Sequence, residues 1–204
     1  MITRLLLTAV ALGGTLVSTS RLSAQAAAAP AAPDRVSRWE LVVPAGAVVP
    51  TGAQRDAIKR GNLTAAQLSY VARPRLAVTA TVGWARSRDV AAPGAPKLDV
   101  FTYDLGAEAR APRWAAGRGV TFAPFAGVGA GARSYDYRSV DADATHNLAA
   151  FAAVGGEFGV RRVRLRLEAR DYVTGFKPLS GAGTADARND VVLMAGLRFT
   201  RRGA

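Results

Sequence analysis

From Leu76 to Ser87 apolar and polar residues alternate with a period of two. Leu76, Val78, Ala80, Val82 and Trp84 fall on one face; Ala77, Thr79, Thr81, Gly83, Ala85 and Ser87 fall on the other. Segment 100–109 does the same, with Phe101, Tyr103, Leu105 and Ala107 opposite Thr102, Asp104, Gly106 and Glu108. The sharpest case is 162–171, where Val163, Leu165, Leu167 and Ala169 interleave with Arg162, Arg164, Arg166, Glu168 and Arg170. Segment 190–199 sets Val191, Leu193, Ala195, Leu197 and Phe199 against Asp190, Met194, Gly196 and Arg198. A helix would scatter these charges around its circumference, so the pattern predicts strands.

Four weaker segments, 39–49, 63–71, 120–134 and 148–160, bring the expected count to eight strands. Pro44 and Pro124 interrupt two of them, because proline removes a ladder donor. The connections alternate in length. Pro50–Asn62, Arg88–Asp99, Tyr135–Asn147 and Val173–Asn189 are long; Ala72–Arg75 and Arg161 are short, and Arg110–Gly119 is of middle length. That rhythm predicts an all-β, eight-stranded antiparallel up-and-down barrel with short turns at one end and long loops at the other.

Alternation does not say which face meets which solvent. A soluble barrel buries its apolar face in the lumen, whereas a membrane barrel turns it to lipid. Two features favour a transmembrane β-barrel. Aromatics gather at the strand ends: Trp39, Tyr70, Phe122 and Phe199 at the short-turn end, and Trp84, Phe101, Tyr103, Tyr135 and Tyr172 at the long-loop end. Such rings are expected to form two interfacial girdles. The polar faces carry both signs of charge, Glu40, Asp104, Glu108, Glu157 and Glu168 with Arg110, Arg133, Arg164, Arg166, Arg170 and Arg198. Facing inward, they would form an ion-paired lumen network of structural character.

The N-terminus bears on compartment. Arg4, an apolar run from Leu5 to Val17 and the small-residue site Ala24-Gln25-Ala26 have the layout of a secretory signal peptide over residues 1–26. The apolar run is too short for a spanning helix. Residues 27–36 read as a flexible leader, 37–199 as the barrel and 200–204 as a short basic tail. The 204 residues carry a net charge of +12, and cleavage after Ala26 removes Arg4 and Arg21 to leave +10. With no cysteine, disulfide scaffolds, thiolate metal sites, thiol nucleophiles and a lipidated N-terminal cysteine are excluded. One histidine, His146, excludes multi-histidine metal centres.

Over residues 37–199 the chain resembles the small eight-stranded outer-membrane β-barrel family of OmpA and OmpX type. The resemblance rests on the strand meander, the stretch Pro124–Gly131 (PFAGVGAG) and the final strand VVLMAGLRF ending at Phe199. It implies insertion by the barrel-assembly machinery, which reads an aromatic at the end of the last strand. Here Thr200-Arg201-Arg202-Gly203-Ala204 follow that aromatic, and no peptidoglycan-binding domain of the OmpA kind follows the barrel.

Candidate chemistry is sparse. His146, with Ser139 and Thr145 nearby in the third long loop, is the one candidate for a lipid A-modifying hydrolase or acyltransferase. Asp136, Asp141 and Asp143 are acidic loop residues without calcium-loop spacing. Gly127–Gly131 lacks the Lys-Ser/Thr of a phosphate loop and is read as making room inside the barrel for arginines of other strands. Nucleic acid is not an expected partner, since no basic helix or recognition motif is present. Arg35, Arg38, Arg73, Arg75, Arg113, Arg118, Arg161, Arg201 and Arg202 instead form a basic rim at the short-turn end, near phospholipid headgroups. The expected protein is a monomeric, non-enzymatic resident of the bacterial outer membrane with a structural or surface-interaction role. No catalytic residue, cofactor or metal is assigned. The alternatives are a narrow channel, a lipid-modifying enzyme and a soluble periplasmic lipocalin-like carrier.

Overall fold

A computed structural model describes residues 39–138, 140–160, 163–176, 179 and 186–199. The signal peptide (1–26), the leader (27–36), the tail (200–204), Ser139 and Arg161 lie outside the described residues. The strands are β1 (Trp39–Thr51), β2 (Gly61–Arg73), β3 (Leu76–Arg88), β4 (Lys97–Arg110), β5 (Trp114–Gly117), β6 (Val120–Tyr137), β7 (Thr145–Val160), β8 (Val163–Phe176) and β9 (Asp186–Phe199). One 3-10 turn, Gly52–Asp56, follows β1.

Eight long strands close a barrel. Each pairs antiparallel with its sequence neighbour, β4 pairs with β6, and β1 closes against β9. Closure removes the open edges that hydrocarbon cannot satisfy. Pro44 leaves a gap in the β1–β2 ladder between Val42↔Gln67 and Ala45↔Thr64, and the register continues unchanged across it. The short β5 is a ninth strand within Arg110–Gly119, where only a connection is expected. It pairs with the start of β6 and forms a hairpin at the short-turn end.

The strands outrun their expected limits at the long-loop end. β6 continues to Tyr137 and β7 begins at Thr145, so much of Tyr135–Asn147 is ladder and not loop. β8 likewise runs on to Phe176. With 13 residues in β1 and 18 in β6, the strands exceed the ~9–11 that span a bilayer.

The two faces divide as the alternation requires. Leu41, Val43, Leu105, Val128 and Val154 point outward and are between 60% and 67% exposed. Among the described residues the charged side chains of the barrel wall point mainly inward and are buried, including Asp104, Glu108, Glu157, Arg133, Arg166, Glu168, Arg170 and Arg198. This reverses a lipocalin-like carrier, whose lumen would be apolar. The apolar core runs from the long-loop end of the lumen, where Val48, Leu63, Leu98, Val100, Tyr135, Tyr137 and Phe176 pack with Ala57 and Ile58 from beyond the 3-10 turn, to Phe151, Ala153 and Met194 beside the charged side chains. Asp89 is buried there and accepts hydrogen bonds from Tyr137 Oη (2.6 Å) and from the backbone N–H groups of Ala91 (3.0 Å), Ala92 (3.2 Å) and Leu179 (3.0 Å).

The glycines of β6 do not make room directly for arginines: Gly127 and Gly131 lie against the β4 backbone, and Gly129 makes room for a ring. A Cβ on Gly129 would collide with the Phe151 ring and the Leu105 carbonyl oxygen. Phe125 lies over Gly155 in the same way. Gly129→Val is therefore expected to destabilise the barrel by about 1–3 kcal/mol. The midpoint of urea unfolding in detergent micelles reads this, and an unchanged midpoint contradicts the close approach.

Candidate functional site

An eight-stranded lumen is just wide enough for side chains to fill. Among the inward residues that fill it are twelve charged ones, from six of the eight long strands. Glu40 stands on β1, Asp104, Glu108 and Arg110 on β4, Arg133 on β6, and Glu157 on β7. Arg164, Arg166, Glu168 and Arg170 stand on β8, with Asp190 and Arg198 on β9. Six carboxylates thus face six guanidiniums, and this set has no formal net charge. The expected set lacks Asp190, although its place two residues before Val192 and four before Met194 puts it on the inward face.

A lower cluster occupies the short-turn half. Arg110 bridges Glu40 at 2.8 Å and Glu108 at 2.6 Å. Arg166 pairs with Glu108, with Glu168 at 2.7 Å and with Glu157 at 3.4 Å. Arg198 pairs with both Glu40 and Glu157. Each carboxylate here has at least two guanidinium partners, which is how ions removed from water recover their solvation.

An upper cluster follows through Glu168, which also pairs with Arg170. Arg170 reaches Asp104 at 3.2 Å and donates to Thr81 Oγ1 at 3.1 Å and Tyr172 Oη at 3.2 Å. Tyr172 in turn donates to Asp104, and Arg133 pairs with Asp190. Aromatic faces support the guanidiniums: Arg166 lies 3.7 Å over Phe125, Arg133 4.1 Å over Tyr172 and Arg170 4.7 Å over Phe151. A desolvated cation on a ring face gains up to ~2 kcal/mol.

Arg164 stands apart from this network. It is partly buried at the short-turn mouth and makes no ion pair among the described residues.

The aromatic girdles need correction. Trp39, Trp84 and Tyr103 are exposed on the outer surface, and Tyr70, Phe101 and Phe122 are partly exposed there. Trp39 contacts Tyr70 at 4.9 Å between ring centroids. Tyr135 and Tyr172, by contrast, are 0% and 2% exposed inside the barrel. The signal was present in the period itself: two residues on from inward Arg133 lies Tyr135, and two on from Arg170 lies Tyr172. Phe199 pairs through its backbone with Val163, and its side chain lies outside the described residues.

His146 is in β7 and not in a loop. Its Nδ1 lies 2.5 Å from Ser134 Oγ on the facing residue of β6. Ser134 is thus its hydroxyl partner among the described residues, and Ser139 lies outside them. Among the described residues no carboxylate bonds the ring, and Ser134 is buried. No three His, Asp or Glu side chains converge as a metal site among the described residues.

This architecture, a closed eight-stranded antiparallel barrel with an apolar outside, is the fold of the small outer-membrane β-barrels. Among solved structures the chain is similar to Neisserial surface protein A (NspA), with a TM-score of 0.53, 17% identity, and coverage of 81% of this chain and 99% of that one. It is also similar to the outer membrane protein AlkL in DMPC lipid bilayers, with a TM-score of 0.52, 13% identity, and coverage of 92% and 98%. No protein-family model matches the sequence, and no curated protein matches it.

The pairing scheme makes the arginines unequal. Arg170→Met leaves Asp104 and Glu168 short of a partner and should cost about 3–5 kcal/mol. Arg164→Met strands no carboxylate and should cost about 1 kcal/mol or less. Urea unfolding of the two variants in detergent micelles separates them, and equal shifts would refute the scheme.

Proposed function

We propose that the protein is a monomeric bacterial outer-membrane barrel, exported by its signal peptide and inserted by the barrel-assembly machinery. Its role is structural or surface-interacting: the wall holds four long-loop connections on the outer side, with the short turns toward the periplasm. The observation that carries this reading is the distribution of side chains, with Leu and Val outward and an ion-paired set of arginines and carboxylates inside. The charged network acts as a plug. In the short-turn half β1, β4, β7, β8 and β9 contribute to pairs that span the lumen, and the apolar core closes the long-loop end. A hydrated ion has no path through such a section without breaking several pairs at once.

Expression with the signal peptide in a Gram-negative host tests the reading. A band in the outer-membrane fraction that shifts mobility between unheated and boiled samples is expected. A soluble periplasmic protein with no shift would overturn it. In planar bilayers the purified barrel should give no resolved single-channel currents, and steady currents would replace the plug with a narrow channel.

One observation favours a second reading, the Ser134–His146 hydrogen bond, which places a hydroxyl and a base together as a lipid-modifying hydrolase requires. Loss of a lipid product on His146→Ala, with the gel shift retained, would establish it. An unchanged lipid profile would leave the pair as a cross-strand contact.

A further inference from the structure

The excess positive charge of the barrel is not spread over it. Within the set of twelve charged lumen residues, carboxylates and guanidiniums match in number. At the long-loop end Arg55, Lys59, Arg60 and Arg88 stand beside Asp56, Asp136, Asp141 and Asp143. At the short-turn end, every exposed charged residue among those described is an arginine: Arg73, Arg75, Arg113 and Arg118. The sequence has no Asp or Glu between Asp56 and Asp89, or between Glu108 and Asp136, to offset them.

The β5–β6 hairpin sets the depth of this rim. All four residues of β5 are exposed, and its one ladder is to β6, so its other edge is open. Open backbone groups cannot sit in hydrocarbon, which has no water to bond them. Yet Trp114, 55% exposed, packs on Phe122 at 5.9 Å between centroids, and Phe122 packs on Phe158 at 4.7 Å, both on the lipid-facing surface. A ring stack that enters the apolar band and an open edge that must stay wet fix the hairpin at headgroup level. Its turn holds Arg118 at φ 50° between Gly117 (φ 88°) and Gly119 (φ 75°), a left-handed position that suits glycine better. The chain nonetheless places a guanidinium at the tip.

We propose that this hairpin and rim bind the anionic headgroups of phospholipid in the leaflet at the short turns, with Arg73, Arg75, Arg113 and Arg118 contacting phosphate and Trp114 anchoring the hairpin among the headgroups. The proposal rests on the membrane reading above and adds a lipid class and a site to it. The chemistry suits a fluid anionic surface: arginines spread along a rim offer several phosphate contacts, where a folded acidic partner would need a shaped pocket.

Electron spin resonance of the full barrel in phosphatidylcholine vesicles tests it, using spin-labelled phosphatidylglycerol against spin-labelled phosphatidylcholine. Phosphatidylglycerol should be enriched at the barrel surface about three-fold or more at low salt, and the enrichment should fall as salt rises. The variant R73Q/R75Q/R113Q/R118Q should lose the preference. A matched long-loop variant, R55Q/K59Q/R60Q/R88Q, should keep it. Arg118→Gly relieves the left-handed backbone, so a reduced preference in that variant reports a lost contact and not a lost fold. Equal association of both lipids, or equal loss in both quadruple variants, overturns the proposal. Equal association combined with arginine-dependent capture of polyglutamate would give the rim to an acidic polypeptide instead. The gel shift on boiling is read on every sample: its absence in wild type would strike the membrane reading, whereas its presence without lipid preference strikes only this proposal.

Discussion

Closing eight strands around a narrow lumen forces a division that the rest of the molecule obeys. The outer wall must be apolar to sit against lipid, and a period of two then sends every second residue into a space too small for bulk water. Polar residues in that space must satisfy one another. Here the charged ones do so by ion pairing across the barrel, from Glu40 on β1 through Glu108 and Arg110 on β4 to Arg198 on β9, while the buried Gln67 amide has no partner among the described residues. The pairs join strands far apart in sequence. Closure, register and lumen charge are therefore one constraint: slip β4, β6, β8 or β9 by a residue and a guanidinium faces lipid while a carboxylate is orphaned.

Burying so many ions is not an efficient source of stability, since the desolvation penalty can match the Coulomb gain. Its effect is on specificity. Glu168, held by Arg166 and Arg170, ties the lower cluster to the upper one, so the two halves of the lumen share one arrangement. The phenylalanines complete it. Phe125 and Phe151 lie where Gly155, Gly106 and Gly129 leave space, and Arg166 and Arg170 rest on their faces. Glycines on one strand thus position guanidiniums on another through an intervening ring. The long-loop end uses a different solution, with an apolar core and a buried carboxylate, Asp89, that gathers four donors from its own loop, β6 and Leu179.

Much of this is legible in the sequence because period-two alternation is a strong signal where both faces are well marked. In β8, Arg164, Arg166, Glu168 and Arg170 leave no doubt about facing, and the inward set follows from such segments. The signal weakens where an inward residue is itself aromatic. Tyr135 and Tyr172 look like interfacial anchors by type and strand-end position, yet counting by two from Arg133 and Arg170 places them inside. Position outranks residue type in a barrel wall, because register is cooperative across the sheet and one ring's preference is not. Strand ends are obscured for the same reason. Tyr137 and Phe176 continue the inward row into what composition reads as loop, and β5 escapes notice because four residues are too few to show a period.

Ser134 and His146 illustrate what sequence spacing cannot reach. They are twelve residues apart with a turn between them, and only the β6–β7 register brings them face to face. The β5 hairpin has the same origin: Trp114 finds Phe122 through a turn with three residues in the left-handed region, and Phe122 finds Phe158 across the β6–β7 ladder. Where charge accumulates, however, is a matter of composition along the chain once the topology is known. The charged set of the lumen cancels, the long loops mix signs, and the described short-turn residues carry arginine alone. An asymmetric field of that kind acts along the barrel axis. It favours the orientation that sets the cationic end at an anionic surface, and the aromatic stack of the hairpin holds that end at the depth where phosphate lies.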